Sequence, residues 1–137
     1  MWWIYALLSA LFAALTAIFA KVGIKGVDTD LATAIRTIVI LIIAWIIAFA
    51  RGGAYTIPSL TKQNILFLCL SGMATGLSWV FYFKALQLGK VSQVAPVDKM
   101  SVAIAIILSV IFLGEALTAK TAIGALLIIG GTVVLIF

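Results

Sequence analysis

The chain has 137 residues, a net charge of +5, 66% hydrophobic residues, only 9% charged residues and no histidine. A soluble domain carries roughly 25% charged residues, so a water-soluble fold is excluded. The Lys and Arg side chains lie mostly between apolar runs, where they read as headgroup anchors and topology signals and not as a nucleic-acid surface.

One cysteine, Cys69, leaves no internal disulfide to form. With no imidazole there is no soft metal site to build, and no metal or cofactor is expected. Uncharged windows cover 1–20, 37–50, 63–83, 100–114 and 121–137. A spanning helix needs about 20 largely apolar residues, with a range of roughly 17–25. The first, third and fifth windows meet that length. The second and fourth meet it only if their helices extend backwards, to about Leu31 and Val91. The prediction is an all-α integral membrane protein with five transmembrane helices near 3–24, 30–50, 63–87, 91–114 and 118–137, forming one domain over 1–137.

In the first helix, Trp2, Trp3 and Tyr5 read as interfacial anchors, and Ala6, Ala13 and Ala20 recur at heptad spacing beside Ser9, Ala10, Thr16 and Ala17. The segment lacks the basic n-region of a signal peptide and exceeds the usual apolar length of one. Gly23, Gly26 and Asp28 supply turn chemistry after it. Extending the second helix backwards carries Arg36 roughly 9–12 Å in from the helix start, at ~1.5 Å per residue. The alternative is a short helix with Arg36 snorkelling at the interface.

Gly52, Gly53 and Pro58 mark the second connector. The third helix carries Gly72 and Gly76 at small-x-x-x-small spacing, with Ser71, Thr75 and Ser78 adding hydroxyls. Trp79 and Tyr82, one turn apart, line a pore or belong to the interfacial belt, and Lys84 follows them.

After a turn at Gly89 comes the most telling segment, Gln93-Val94-Ala95-Pro96-Val97-Asp98-Lys99-Met100-Ser101, which leads into aliphatic residues and ends at Gly114-Glu115. Ionised side chains are costly in hydrocarbon, so Asp98 and Lys99 are a functional-site hypothesis by default; a short helix with both at the interface is the alternative. Pro96 is expected to break or tilt the first turns and free a carbonyl. Ser92 is a candidate cap for this helix and Thr118 for the next. Glu115 reads as structural, a carboxylate at a helix C-terminus that needs Lys120, Arg51 or Lys62 to offset the dipole. The fifth helix, with Gly124 and Gly131 seven apart and Thr132 among aliphatics, reads as a packing or dimer element.

Five spans put the first and third connectors and the C-terminus on one side. Arg36, Asp98, Lys99, Lys21 and Lys84 then gather at one membrane face, either as the mouth of a polar cavity or as a ring of headgroup anchors. Lys21, Lys25, Lys84 and Lys90 on that side face Arg51, Lys62 and Lys120 on the other, so connector charge barely separates the two orientations.

The run Phe83-Lys84-Ala85-Leu86-Gln87-Leu88-Gly89-Lys90-Val91-Ser92, then Ala95-Pro96, then Phe112-Leu113-Gly114-Glu115, resembles the end of an EamA repeat of the drug/metabolite transporter superfamily. Arg36 matches the family's common Arg early in its second helix, and Pro96-x-Asp98-Lys99-x-Ser101 looks like a single-repeat subgroup. The first helix lacks the acid that the small multidrug-resistance branch uses for coupling, which argues against polyaromatic-cation export.

The resemblance implies a small-molecule transporter of the cell (inner) membrane, secondary active, proton or ion coupled, and working as a dimer of single repeats. The partner is a second copy, antiparallel if it imitates the two-repeat fold, or a paralogous five-helix chain. Asp98 is the expected switchable group, with Lys99 and Arg36 to neutralise it or hold an anionic substrate, and Lys84, Trp79, Tyr82 and Ser101 completing the candidate site. Arg36 pairing with Asp98 would make the two structural. On an ideal helix Lys99 points about 100° away from Asp98, so only one need face a cavity. The alternatives are a non-transporting subunit that docks a partner protein through the fifth helix, or a flippase for a lipid-linked substrate. No nucleophile–base pair is present to suggest an enzyme.

Single cysteines placed at Asp28 and Tyr55 should react with an impermeant thiol reagent from opposite sides. Equal labelling of both from one side would indicate dual topology, and protection of either within the hydrocarbon would reject five spans.

Overall fold

The computed structural model describes residues 1–137 and contains the five long apolar helices expected: α1 (Trp2–Gly23), α2 (Thr29–Ala50), α3 (Lys62–Leu88), α4 (Val91–Leu113) and α5 (Ala119–Ile136). The second and fourth do start early, at Thr29 and Val91, so each is long enough to cross a bilayer. The chain is an all-α, multi-pass membrane protein.

The second connector holds a 3₁₀ helix, Gly53–Ser59, that was not anticipated. Gly52 stops α2 in the left-handed region at φ 76°, and the turn is then closed by Thr56 Oγ1 donating to the Gly53 carbonyl (2.7 Å) and Ser59 Oγ donating to the Thr56 carbonyl (2.6 Å). Hydroxyls that bond back three residues favour this tighter winding over an open loop.

Helix ends are set by local chemistry. Asp28 Oδ1 accepts from the Asp30 and Leu31 amides at 3.0 Å each, and Asp30 adds a favourable negative charge in the first turn of α2. Thr118 caps α5 as expected, accepting from the Thr121 amide at 3.2 Å. Thr61 does the same for α3, accepting from Asn64 at 3.1 Å.

Ser92 does not cap α4. The helix begins one residue earlier, its cap is Lys90 with no side-chain bond, and Ser92 already lies inside the first turn. α4 ends at Gly114, whose φ of 68° lets the Gly114 and Glu115 amides turn back to the Ser109 carbonyl. Glu115 is exposed and forms no ion pair with Lys120. It stands between the C-terminus of α4 and the N-terminus of α5, so the unfavourable dipole of one is opposed by the favourable dipole of the other.

Backbone contacts divide the chain into two compact units, Met1–Phe19 with Leu88–Phe137, and Ala20–Gln87. In the first, α4 packs along α5. Ala103 and Thr132 are buried there, and Thr132 Oγ1 lies 3.2 Å from the Pro96 carbonyl and 2.8 Å from the Ile128 carbonyl. A hydroxyl has one proton for these two acceptors. Pro96 sits inside α4, which stays helical through it. Its missing N–H removes the rung to the Ser92 carbonyl, while its own carbonyl takes the cross-helix contact from Thr132.

In the second unit, Ile24, Thr29, Thr33, Phe83 and Leu86 are buried. Thr33 and Thr37 donate to the carbonyls four residues back, each at 2.8 Å, so neither of these hydroxyls is left without an acceptor.

The glycines at small-residue spacing are open within their own units. A Cβ placed on Gly72, Gly76, Gly124 or Gly131 would meet nothing within 4 Å outside its own stretch of helix. The small residues that are enclosed are Ala17, Ala20 and Ala103.

Two substitutions test these assignments by thermal unfolding in detergent. Asp28→Ala should lower stability by about 1 kcal/mol, with Asp28→Asn retaining most of it. Thr132→Val should cost about 0.6 kcal/mol, the usual size of an interhelical hydrogen bond in a membrane protein, whereas Thr132→Ser should be nearly silent. Equal melting of the Val and Ser variants would remove the role given to the hydroxyl.

Candidate functional site

Two centres carry the ionised groups farthest from the helix ends, one in each unit. Asp98 is the eighth residue of α4, so it lies about 10 Å from the helix start by the helical rise. Its Oδ2 pairs with Lys99 Nζ at 3.0 Å, and the carboxylate side chain is 34% exposed against 57% for the lysine. The pair forms although the two residues are adjacent in sequence. Neighbouring positions diverge by about 100° on a helix, but the four-carbon lysine stem is long enough to fold back over the carboxylate. Pairing makes the segment locally neutral, and a neutral pair is far cheaper to hold away from water than two separated ions.

Pro96 lies one half-turn before this pair and is tied to Thr132 as described. Ser101, three residues beyond Asp98, is exposed.

The second centre is built on Arg36. α2 places its guanidinium carbon 4.4 Å from the Phe83 ring centroid and 5.0 Å from that of Trp79, both on α3 and one turn apart. Phe83 is fully buried, and Tyr82 meets its edge with centroids 5.9 Å apart at 67°. A desolvated cation over an aromatic face gains up to about 2 kcal/mol. That offsets part of the cost of holding an always-charged group at depth. Trp79 is half-buried, with its ring beside the Arg36 guanidinium. Lys84, one residue past Phe83, is exposed.

Below this centre, the end of α3 is fastened to the first connector. Lys21 Nζ donates to the Leu86 carbonyl, and Gln87 Nε2 donates to the Val27 carbonyl at 3.1 Å. The lysine thereby answers one of the carbonyls a helix C-terminus leaves over. Lys21, Ile24, Lys25, Gly26 and Gln87 line a surface cleft of about 310 Å³.

Three participants were not singled out from the sequence. Phe83 was one aromatic among several on α3, and nothing in its spacing linked it to Arg36. Gln87 stands in the sequence only within the run from Phe83 to Ser92 that carries the family resemblance. Thr132 did carry a signal, as a hydroxyl among aliphatics on α5, since a hydroxyl in an apolar helix must find an acceptor.

The arrangement has two chemical capacities. The Asp98 carboxylate can exchange Lys99 for a proton or another cation. The Arg36 guanidinium, close to two rings, carries N–H donors of a kind suited to an oxyanion.

Comparison with known proteins agrees with this architecture. The model of the EamA-like transporter family matches residues 1–137. A Sinorhizobium protein described as an uncharacterized transporter in the cobO 3' region is 47% identical over 134 residues, which cover 98% of this chain and 95% of that relative. No solved structure matches the chain. With the family model spanning all five helices and a relative of this identity aligned over nearly its full length, the chain belongs to the EamA-like transporter family.

Proposed function

We propose that this membrane transporter is a secondary active carrier of a small molecule in the cell membrane, coupled to a proton or ion and working as a dimer. The observation that carries the reading is the Asp98–Lys99 pair at 3.0 Å, about a third of the way along a helix of spanning length. Purely structural helices avoid ionised groups at such depth, and those that keep them serve ion and substrate pathways. Coupling requires a group that binds the driving ion in one state and releases it in another. A carboxylate whose partner is a flexible lysine can do so, because protonating Asp98 releases the Lys99 ammonium and its long stem can carry that freed charge toward the headgroups.

The dimer follows from the transport cycle. Alternating access in inverted-repeat carriers moves one repeat against another around a site near the midplane, and this chain supplies one repeat. The open glycine positions on α3 and α5 support the same reading, since small residues allow the backbones of two copies to approach closely. Near-even connector charge is compatible with antiparallel copies.

Reconstituted protein should drive uptake from a panel of radiolabelled amino acids, carboxylates and organic cations when a pH gradient is imposed. Asp98→Asn keeps shape and hydrogen bonding, so it should leave folding and cross-linkable dimer intact while gradient-driven flux falls at least tenfold. Unchanged flux would move the coupling group elsewhere. Loss of folding, rescued by neutralising Lys99 as well, would make the pair structural.

A further inference from the structure

Arg36 is the ionised side chain farthest from a helix end in the unit Ala20–Gln87, and its surroundings specify a sign of charge. The guanidinium is fixed by Trp79 and the fully buried Phe83, at 5.0 and 4.4 Å. Rings attract the cation through their quadrupoles and bring no negative charge to balance it.

The acids of the unit do not serve it. Asp28 spends its Oδ1 on the Asp30 and Leu31 amides. Asp30, six residues before Arg36, lies about 120° around the helix. In the other unit, Asp98 and Lys99 neutralise each other. The embedded charges therefore sum to one positive charge, held against Trp79 and Phe83.

A preorganised planar fork in a low-dielectric setting matches the two oxygens of a carboxylate. A cationic solute at the same place would meet repulsion, and the indole of Trp79 beside the fork offers an apolar wall for the rest of an organic anion.

We propose that the substrate is an organic carboxylate with an apolar body, bound by the Arg36 guanidinium and packed against Trp79. The assignment rests on the transporter reading above and names the substrate class for it.

Trp79 is also the reporter. In the full-length protein carrying Trp2→Phe, Trp3→Phe and Trp45→Phe, its fluorescence is the only indole signal, and it can be titrated in nanodiscs with benzoate, inorganic phosphate and tetraphenylphosphonium. Benzoate should give a saturable change, with phosphate and the cation giving none. The benzoate Kd should rise at least tenfold in Arg36→Gln, with Arg36→Lys falling between.

Unchanged benzoate affinity in Arg36→Gln overturns the proposal. So does saturable binding of the cation in place of benzoate, phosphate binding in its place, or no saturable response to benzoate at all. Should Arg36→Gln fail to fold, the ranking of the three probes on the Arg36 protein decides alone.

Because the readout is equilibrium binding, it separates from flux. A chain that binds benzoate through Arg36 but moves no solute fails as a transporter and keeps its anion site. A chain that carries an organic cation down a pH gradient fails only the substrate assignment.

Discussion

Hydrocarbon offers no hydrogen bonds, so every polar group that enters it must bring a partner from within the protein. The five long helices answer that demand for the backbone. The side-chain hydroxyls answer it locally: Thr16, Thr33, Thr37, Thr75 and Thr132 each donate to the carbonyl four residues back. Thr132 also lies within reach of a second acceptor, the Pro96 carbonyl on α4. The same rule governs the charged residues, and there the solutions differ.

Asp98 is handled by its neighbour. A sequence-adjacent lysine is an unusual helical partner, since residues one apart do not share a face, and the bond depends on the reach of a long flexible stem. Such a pair is easily opened, which suits a group that trades partners. Arg36 is handled by packing. Two rings of α3 hold its guanidinium by van der Waals and quadrupole contact, without consuming its directional donors. One centre is thus labile and locally neutral, while the other is fixed and carries an unbalanced charge.

Packing among the helices cannot draw on the hydrophobic effect, since lipid tails are as apolar as leucine side chains. Few side chains are enclosed, and they concentrate at Phe83, Leu86 and Ile24 in one unit and at Ala103 and Thr132 in the other. Open glycines at positions 72, 76, 124 and 131 leave smooth helix surfaces where one chain makes no use of them. In lipid these surfaces carry no penalty for exposure, but they are shaped for a close backbone approach.

The sequence by itself determined the membrane class, the number of spans and the elements that end them. These depend on apolar run length, on Asp28, Thr118 and Gly114, and on charge scarcity, all of which act over a few consecutive residues. It also singled out Asp98, Lys99 and Arg36, because an ionised residue inside a spanning helix stands out against its own neighbours. What it left undecided was the company those residues keep. Whether Arg36 faced rings, lipid or an acid turned on the rotation of α2 against α3, and the Thr132 bond to Pro96 turned on the register of α4 against α5. Rotation and register arise from side-chain fit between segments distant in the chain, and no local pattern encodes them.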